Sequence, residues 1–342
     1  MAESTTTFLT ALWAPETTPG TVPADANFKA LRAVSVEDVR PVIDAGIERM
    51  LGQKISSVSW VGRESSELSI RSQPVYGQLA HLFCSLLKNV TPQAITEGAT
   101  TVGYKWDFTP ALDTEETPKT FTVALQPYID SGGAKRINIP YVLVNTLTVR
   151  IPAQGRPELT ASAIGRAMQL NQSVISSPPS VEAVPMLAKH ASVYIDSTAS
   201  GIGTTKMTRV LEAELTFENR WNPLYVLDAS QSSFAVHIEQ PVVARLRLLM
   251  EADAQGVAGL DQARSNTTKF IRLDVVGPLL PSASTNTYLL RVDMAGAVQS
   301  VGTFRDQDGV FAVEYTFEAI YSTAFSPAKA LTVTVQNNVQ AL

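Results

Sequence analysis

Along this chain the apolar positions most often recur at every second residue, the period of a strand that buries one face. Val210 to Phe217 sets Leu211, Ala213, Leu215 and Phe217 against Glu212, Glu214 and Thr216, and Glu218 continues the polar side. Residues 311–319 repeat the pattern, with Phe311, Val313, Tyr315 and Phe317 opposite Ala312, Glu314, Thr316 and Glu318. Phe121, Val123 and Leu125 alternate with Thr120, Thr122 and Ala124, while Leu143, Leu147, Val149 and Ile151 lie opposite Val144, Thr146, Thr148 and Arg150. Further strands are expected at 54–60, 66–72, 101–108, 190–196, 233–239, 243–250, 269–276, 286–293 and 330–336, where Thr, Val, Tyr and Phe are frequent. One helix is expected, because Leu79, Leu82, Phe83, Leu86 and Leu87 follow the i, i+3, i+4, i+7, i+8 spacing. Weaker helical patterns run over 36–51, on Val39, Val42, Ile43 and Ile47, and over 252–265, on Val257, Leu260 and Ala263. The protein is mainly β.

A chain of 342 residues exceeds the roughly 100–200 that one domain usually holds, so two domains are expected. Residues 171–185 combine a Pro pair with several Ser and predict a linker between a domain over 46–170 and another over 186–342. Pro15, Pro19, Gly20, Pro23 and many Thr predict an extended N-terminal arm within residues 1–45. Hairpin-like loops are expected at 109–118, 130–135 and 198–206. Each half offers strands, a principal helix and further strands, but identity between the halves is slight and leaves duplication open.

Charged residues are only 17% of the chain and apolar residues 45%, which fits sides covered by neighbours or a weakly charged monomer. The net charge of -5, with no run of three Lys or Arg, gives none of the basic stripe that grips a duplex. The opening residues lack the basic region and apolar core of a secretory signal, and no apolar run approaches a membrane span, so synthesis in a cytoplasm is expected. His81, His190 and His237 have no metal-site spacing. Cys84 lies three residues from His81 in an apolar stretch, the setting of a core thiol rather than a nucleophile. Gly201, Gly203 and Lys206 lack phosphate-loop spacing and precede a strand. The face with Glu212, Glu214, Glu218, Glu314 and Glu318 is either a solvated sheet face or an acidic wall facing a channel, since aromatics are too few (7%) for a sugar cleft. No catalytic, metal or cofactor site is expected.

Several stretches, in order, resemble the tail tube proteins of long-tailed bacteriophages (siphophages): residues 16–35, then 65–87 as a strand running into the main helix. VGYKWDFTP at 102–110, KTFTVALQPY at 119–128 and VLVNTLTVRI at 142–151 follow, and 309–322 with 330–339 resemble the family's ending. The resemblance implies tandem β-sandwich domains, each with a flanking α-helix. It further implies a non-enzymatic virion subunit whose sheets join around a ring of three or six chains, with rings stacking into the tube through which DNA is ejected. Its partners would be further copies of itself and the tape-measure, tail-tip and tail-terminator proteins, with DNA only as transient cargo and no membrane. The five glutamates are then candidates for the lumen. Trp13, Gly20, Asp113, Glu115, Glu116, Gly201, Gly203 and Lys206, in the arm and loops, are candidates for assembly contacts. Other readings are a tail completion or capsid-decorating protein, a carbohydrate-binding β-sandwich module, and a two-domain hydrolase.

Overall fold

The computed structural model describes residues 9–31, 34–130 and 133–342. The first half contains β1 (Thr10–Pro15), β2 (Lys29–Ala30), β3 (Val34–Glu48), β4 (Val58–Ser72), α1 (Tyr76–Leu86), β5 (Gln93–Glu97), β6 (Thr100–Phe108), β7 (Phe121–Asp130), β8 (Gly133–Pro152), β9 (Glu158–Arg166) and β10 (Gln169–Ser173). The second contains β11 (Ala191–Asp196), β12 (Lys206–Met207), β13 (Val210–Glu218), β14 (Trp221–Leu224), β15 (Val236–Glu239), β16 (Val243–Glu251), α2 (Ala254–Ser265), β17 (Lys269–Leu279), β18 (Thr287–Val301), β19 (Arg305–Gln307), β20 (Val310–Ala319) and β21 (Leu331–Asn337).

The order of strand pairings occurs twice. In the first half β1 pairs with β2 and β7, β3 with β4, β4 with β9, β7 with β8, and β8 with β9 and β10. In the second half β11 pairs with β12 and β17, β13 with β16, β16 with β20, β17 with β18, and β18 with β20 and β21. Superposing the two orders puts Leu68 on Leu246, each eight residues before its helix begins. Their cross-strand partners are Ala163 and Phe317, and the partners of those are Val144 and Val298. A register shift follows at the same point in both, at Asn145 between Val144 and Thr146, and at Gln299 between Val298 and Ser300. An extra residue conserved in place is a built feature of a sheet.

β8 and β18 each run through two layers. The C-terminal parts of both strands belong to one antiparallel sheet of eight strands, in the order β3-β4-β9-β8-β13-β16-β20-β18. Their N-terminal parts belong to sheets behind it, β8 between β7 and β10, and β18 between β17 and β21. The space between is filled by α1 and by alternate strand residues: Leu68, Leu147, Leu159, Leu215, Leu248 and Phe317 all enter one core. α1 is buried along its whole length and packs on strands from both halves, β8, β6, β18 and β21. The halves are further joined by pairing of β13 with β8 and of β21 with β6. The Glu97 carboxylate also accepts bonds from the backbone of Ser284, Thr285 and Asn286.

Three expectations need correction. Residues 36–51 are not helical: β3 covers most of them, and Pro41 in its middle would break a helix while an outer strand tolerates it. Register shifts between Val36 and Asp38 and between Ile43 and Ala45 interrupt the two-residue period and leave a spacing that imitates a helix. Residues 10–15 are no free arm either; β1 pairs with β7 and buries Trp13 completely. Residues 1–8 lie outside the described residues. The segment 171–185 is no loose linker, since its backbone bonds to Ala30 and Tyr76 and it buries Val181. The helix over 252–265 is present as α2, capped by the Asp253 side chain on the backbone N–H of Gly256 at 2.8 Å.

Candidate functional site

The face of the eight-stranded sheet that points away from the core carries all five glutamates. Period two puts Glu212, Glu214 and Glu218 of β13 and Glu314 and Glu318 of β20 on that side, because Leu215, Phe217, Val313, Tyr315 and Phe317 face the core. Between them runs β16, whose Arg245 and Arg247 project the same way. Arg247 reaches Glu314 at 2.8 Å and Glu214 at 3.0 Å and also binds Glu212. Arg245 reaches Glu218 at 2.8 Å and Glu318 at 2.9 Å. Arg150 of β8 holds Glu212 at 2.5 Å, and Arg305 lies 3.7 Å from Glu314. The face, expected as either a solvated sheet face or an acidic wall, is not purely acidic: it is a ladder of ion pairs, five carboxylates against four guanidiniums. Burial pushes the Glu212 carboxyl up, but the hydrogen bonds and charges of Arg150 and Arg247 outweigh it and hold the group below its ordinary value. Arg247 is correspondingly raised: burial lowers it, and Glu214 and Glu314 more than offset that.

Toward the first half the face changes character. Hydroxyls meet where the two halves join, Thr148 with Thr216 at 3.2 Å and Thr146 with Ser162 at 2.7 Å. Beyond them lie two exposed pairs, Arg71 with Glu158 and Arg40 with Glu67. The sheet then ends on β3, whose outer edge has no strand partner among the described residues. At its opposite end it stops on β19 and the C-terminal part of β18 (residues 297–301), which have no strand partner there but β20 among the described residues.

The candidate assembly residues are not gathered into one site. Trp13 is in the core against Phe121 and is corrected to a packing residue. Gly20 has a left-handed φ of 82° and donates its N–H to Glu16. Asp113 and Glu115 are exposed on the 109–118 segment, which is no hairpin because β6 and β7 lie in different sheets. Glu116 there accepts the Ala111 N–H at 2.6 Å, and its own N–H donates to Glu239. The 198–206 loop does join two paired strands, and Asp196 fastens it by accepting bonds from Gly203, Thr204 and Thr205. Gly203 lies against Arg272, Gly201 is half-buried, and Lys206 is exposed. In the 130–135 loop, residues 131 and 132 lie outside the described residues.

His81 is buried in α1 beside Phe121, and burial pushes it down to about 3, so the ring is neutral. Burial pushes the Cys84 thiol up to about 12, which leaves no thiolate at neutral pH. Among the described residues no three His, Cys, Asp or Glu side chains stand together as metal ligands, and no helix is long and apolar enough to cross a membrane. Sequence reasoning missed the arginines that pair the glutamates, although Arg245 and Arg247 alternate with Leu246 and Leu248 in plain view. It also missed the long β3–β4 hairpin. No protein-family model matches the chain, and no curated protein matches it in sequence.

Proposed function

We propose that this chain is a structural subunit that polymerises with its own copies into stacked rings, forming the hollow tail tube of a long-tailed phage. In this reading the two repeats are tandem β-sandwich units, each with a flanking helix. The observation that carries it is the join between β8 and β13. It unites the last strand of one repeat's outward sheet with the first strand of the next, and the counterparts of those two strands, β18 and β3, stand free at opposite ends of the same sheet. Ends that complement each other add head to tail, and a ring of such additions closes. Closure also removes the exposed strand edges that otherwise invite uncontrolled pairing. Eight strands from each of three chains would make a barrel of twenty-four, with six repeats around the axis.

The ladder supports the same reading. Its guanidiniums are held by carboxylates, and cations paired in this way attract the phosphates of passing DNA less than free ones do. Self-association, the tape-measure, tip and terminator proteins at the ends, and residence in the virion follow from this role. The test is negative-stain electron microscopy of the purified protein before and after concentration and warming. Hollow tubes of uniform width with three chains per ring are expected. Rings of six chains would overturn the trimer but keep the tube. A monomer that persists at every concentration and temperature short of unfolding would overturn the tube itself.

A further inference from the structure

The repeat also places two hairpins at corresponding positions, and they end differently. In the second repeat the segment between β13 and β16 folds back onto the first repeat. Arg220 N–H donates to the carbonyl of Asn145, the bulge residue of β8, at 3.1 Å, and Trp221 N–H donates to the Asn145 side chain at 2.8 Å. The Trp221 indole N–H donates to Ser85 O at 3.0 Å, and Phe234 packs edge-on to Tyr141 with ring centroids 5.2 Å apart. Arg166 of β9 donates to the Phe234 carbonyl at 3.0 Å. Arg220, Trp221 and Phe234 are all fully buried by this seat.

In the first repeat the corresponding hairpin is the distal part of β3 and β4, residues 43–61. Only its base is held, by the Glu64 N–H on Ser232 O and by Arg63 on Val226 O. Past that base the ribbon stands clear, yet it is apolar: Ile47 is 75% exposed, Leu51 105%, Ile55 81% and Val61 76%. A two-stranded ribbon gains little stability alone, and a concentrated exposed apolar patch marks a contact surface.

We propose that this hairpin docks on the second repeat of another copy of the chain, in the manner that residues 219–242 dock on the first repeat of their own. The occupant follows from the repeat. Asp44 corresponds to Arg220, because Leu68 aligns with Leu246 and their partners Val39 and Leu215 align in turn. Gln299 corresponds to Asn145, and it is exposed at the free edge of β18. The backbone part of the seat thus exists once inside the molecule, between repeats, and recurs at Gln299 for a second chain. Ser85, Tyr141 and Arg166 are replaced there by Ala263, Ala295 and Ile320, so the second instance shares the bulge contact and not the side-chain contacts. This rests on the tube reading and adds which segment reaches across the subunit boundary and what it meets.

The double variant Asp44→Cys/Gln299→Cys tests it under oxidising conditions. The corresponding backbones approach to hydrogen-bond distance within the chain, which brings the Cα atoms into disulfide range. Assembled protein should give a ladder of covalently linked chains on a denaturing gel. The control Thr148→Cys/Thr216→Cys, directly opposed in the sheet, should close within one chain and give none; Cys84 is buried and takes no part. In parallel, Leu51→Asp/Ile55→Asp should raise the concentration needed for assembly at least tenfold without moving the melting temperature of the monomer. Tubes that form without the interchain ladder, or that form as readily in the Asp variant, overturn the docking and leave the tube intact. A wild-type chain that never assembles overturns the tube reading, and the docking with it.

Discussion

Trp221 and Trp60 stand on corresponding hairpins of the two repeats, yet Trp221 is wholly buried while Trp60 is 42% exposed and lies against Gly46 and Glu48 of its own ribbon. The hairpins share a strand order but not surroundings. The second packs on the first repeat through Asn145, Ser85 and Tyr141, while the first is held among the described residues only at its base, by Ser232 and Val226. The same strand order thus yields one packed element and one bare one, so surroundings rather than topology decide whether the hairpin is buried.

That comparison breaks most sharply at the tryptophans. Trp221→Ala should destabilise the monomer by about 3–5 kcal/mol in chemical denaturation, as expected for a buried aromatic. Trp60→Ala should stay within about 0.5 kcal/mol. Equal losses would mean the first hairpin is already packed within the monomer. Leu68→Ala and Leu246→Ala, at matched buried positions, should each cost about 2–5 kcal/mol and agree more closely with one another than the tryptophans do. A large gap between them would show that the repeats are unequal in their cores as well as at their tips.

Smaller effects belong to the ion ladder, which the second repeat has and the first largely lacks. Arg247→Met leaves Glu214 and Glu314 without their closest cation and should cost about 1–3 kcal/mol, more at low salt than at high. Arg40→Met, on the exposed pair of the first repeat, should cost well under about 1 kcal/mol. Glu212→Gln is the mildest change in the second repeat and the one with a pH signature. Its carboxyl is held below the ordinary value of 4.5 in the folded state, so the stability it adds is full above that pH and fades as pH falls through the lower folded value. The variant should lose about 1 kcal/mol at neutral pH and show a flatter acid limb in thermal melts than wild type.

Much of this was legible in local pattern. The alternations of β13 and β20 named Ala213, Leu215, Phe217, Val313, Tyr315 and Phe317 as core and named the glutamates, but misplaced Phe311, which is exposed while Ala312 is buried. The leucines of α1 named the helix. What failed was pattern interrupted or completed from a distance. Two bulges in β3 scrambled a strand into an apparent helix, and Trp13, among Thr and Pro, gave no sign that β7 would cover it. The pairing of the glutamates was not legible because their arginines sit on another strand, 27–35 residues away from Glu218, Glu214 and Glu212. The repeat itself lies in the sequence of pairings rather than in residue identity; Leu68 with Leu246 and Val144 with Val298 are too few matches to reveal it.

The passage of β8 and β18 from one layer into the other gives the ion-laddered sheet a mechanical property. Each of these strands is a continuous covalent beam anchored by hydrogen-bonded neighbours in both layers. For one layer to slide over the other, the beam must be drawn lengthwise through its ladders, which loads many backbone bonds together in shear instead of peeling them singly. Because the beam occurs in each repeat, the face is tied to its backing at two places per chain, and tangential load on it passes through backbone rather than through side-chain friction alone.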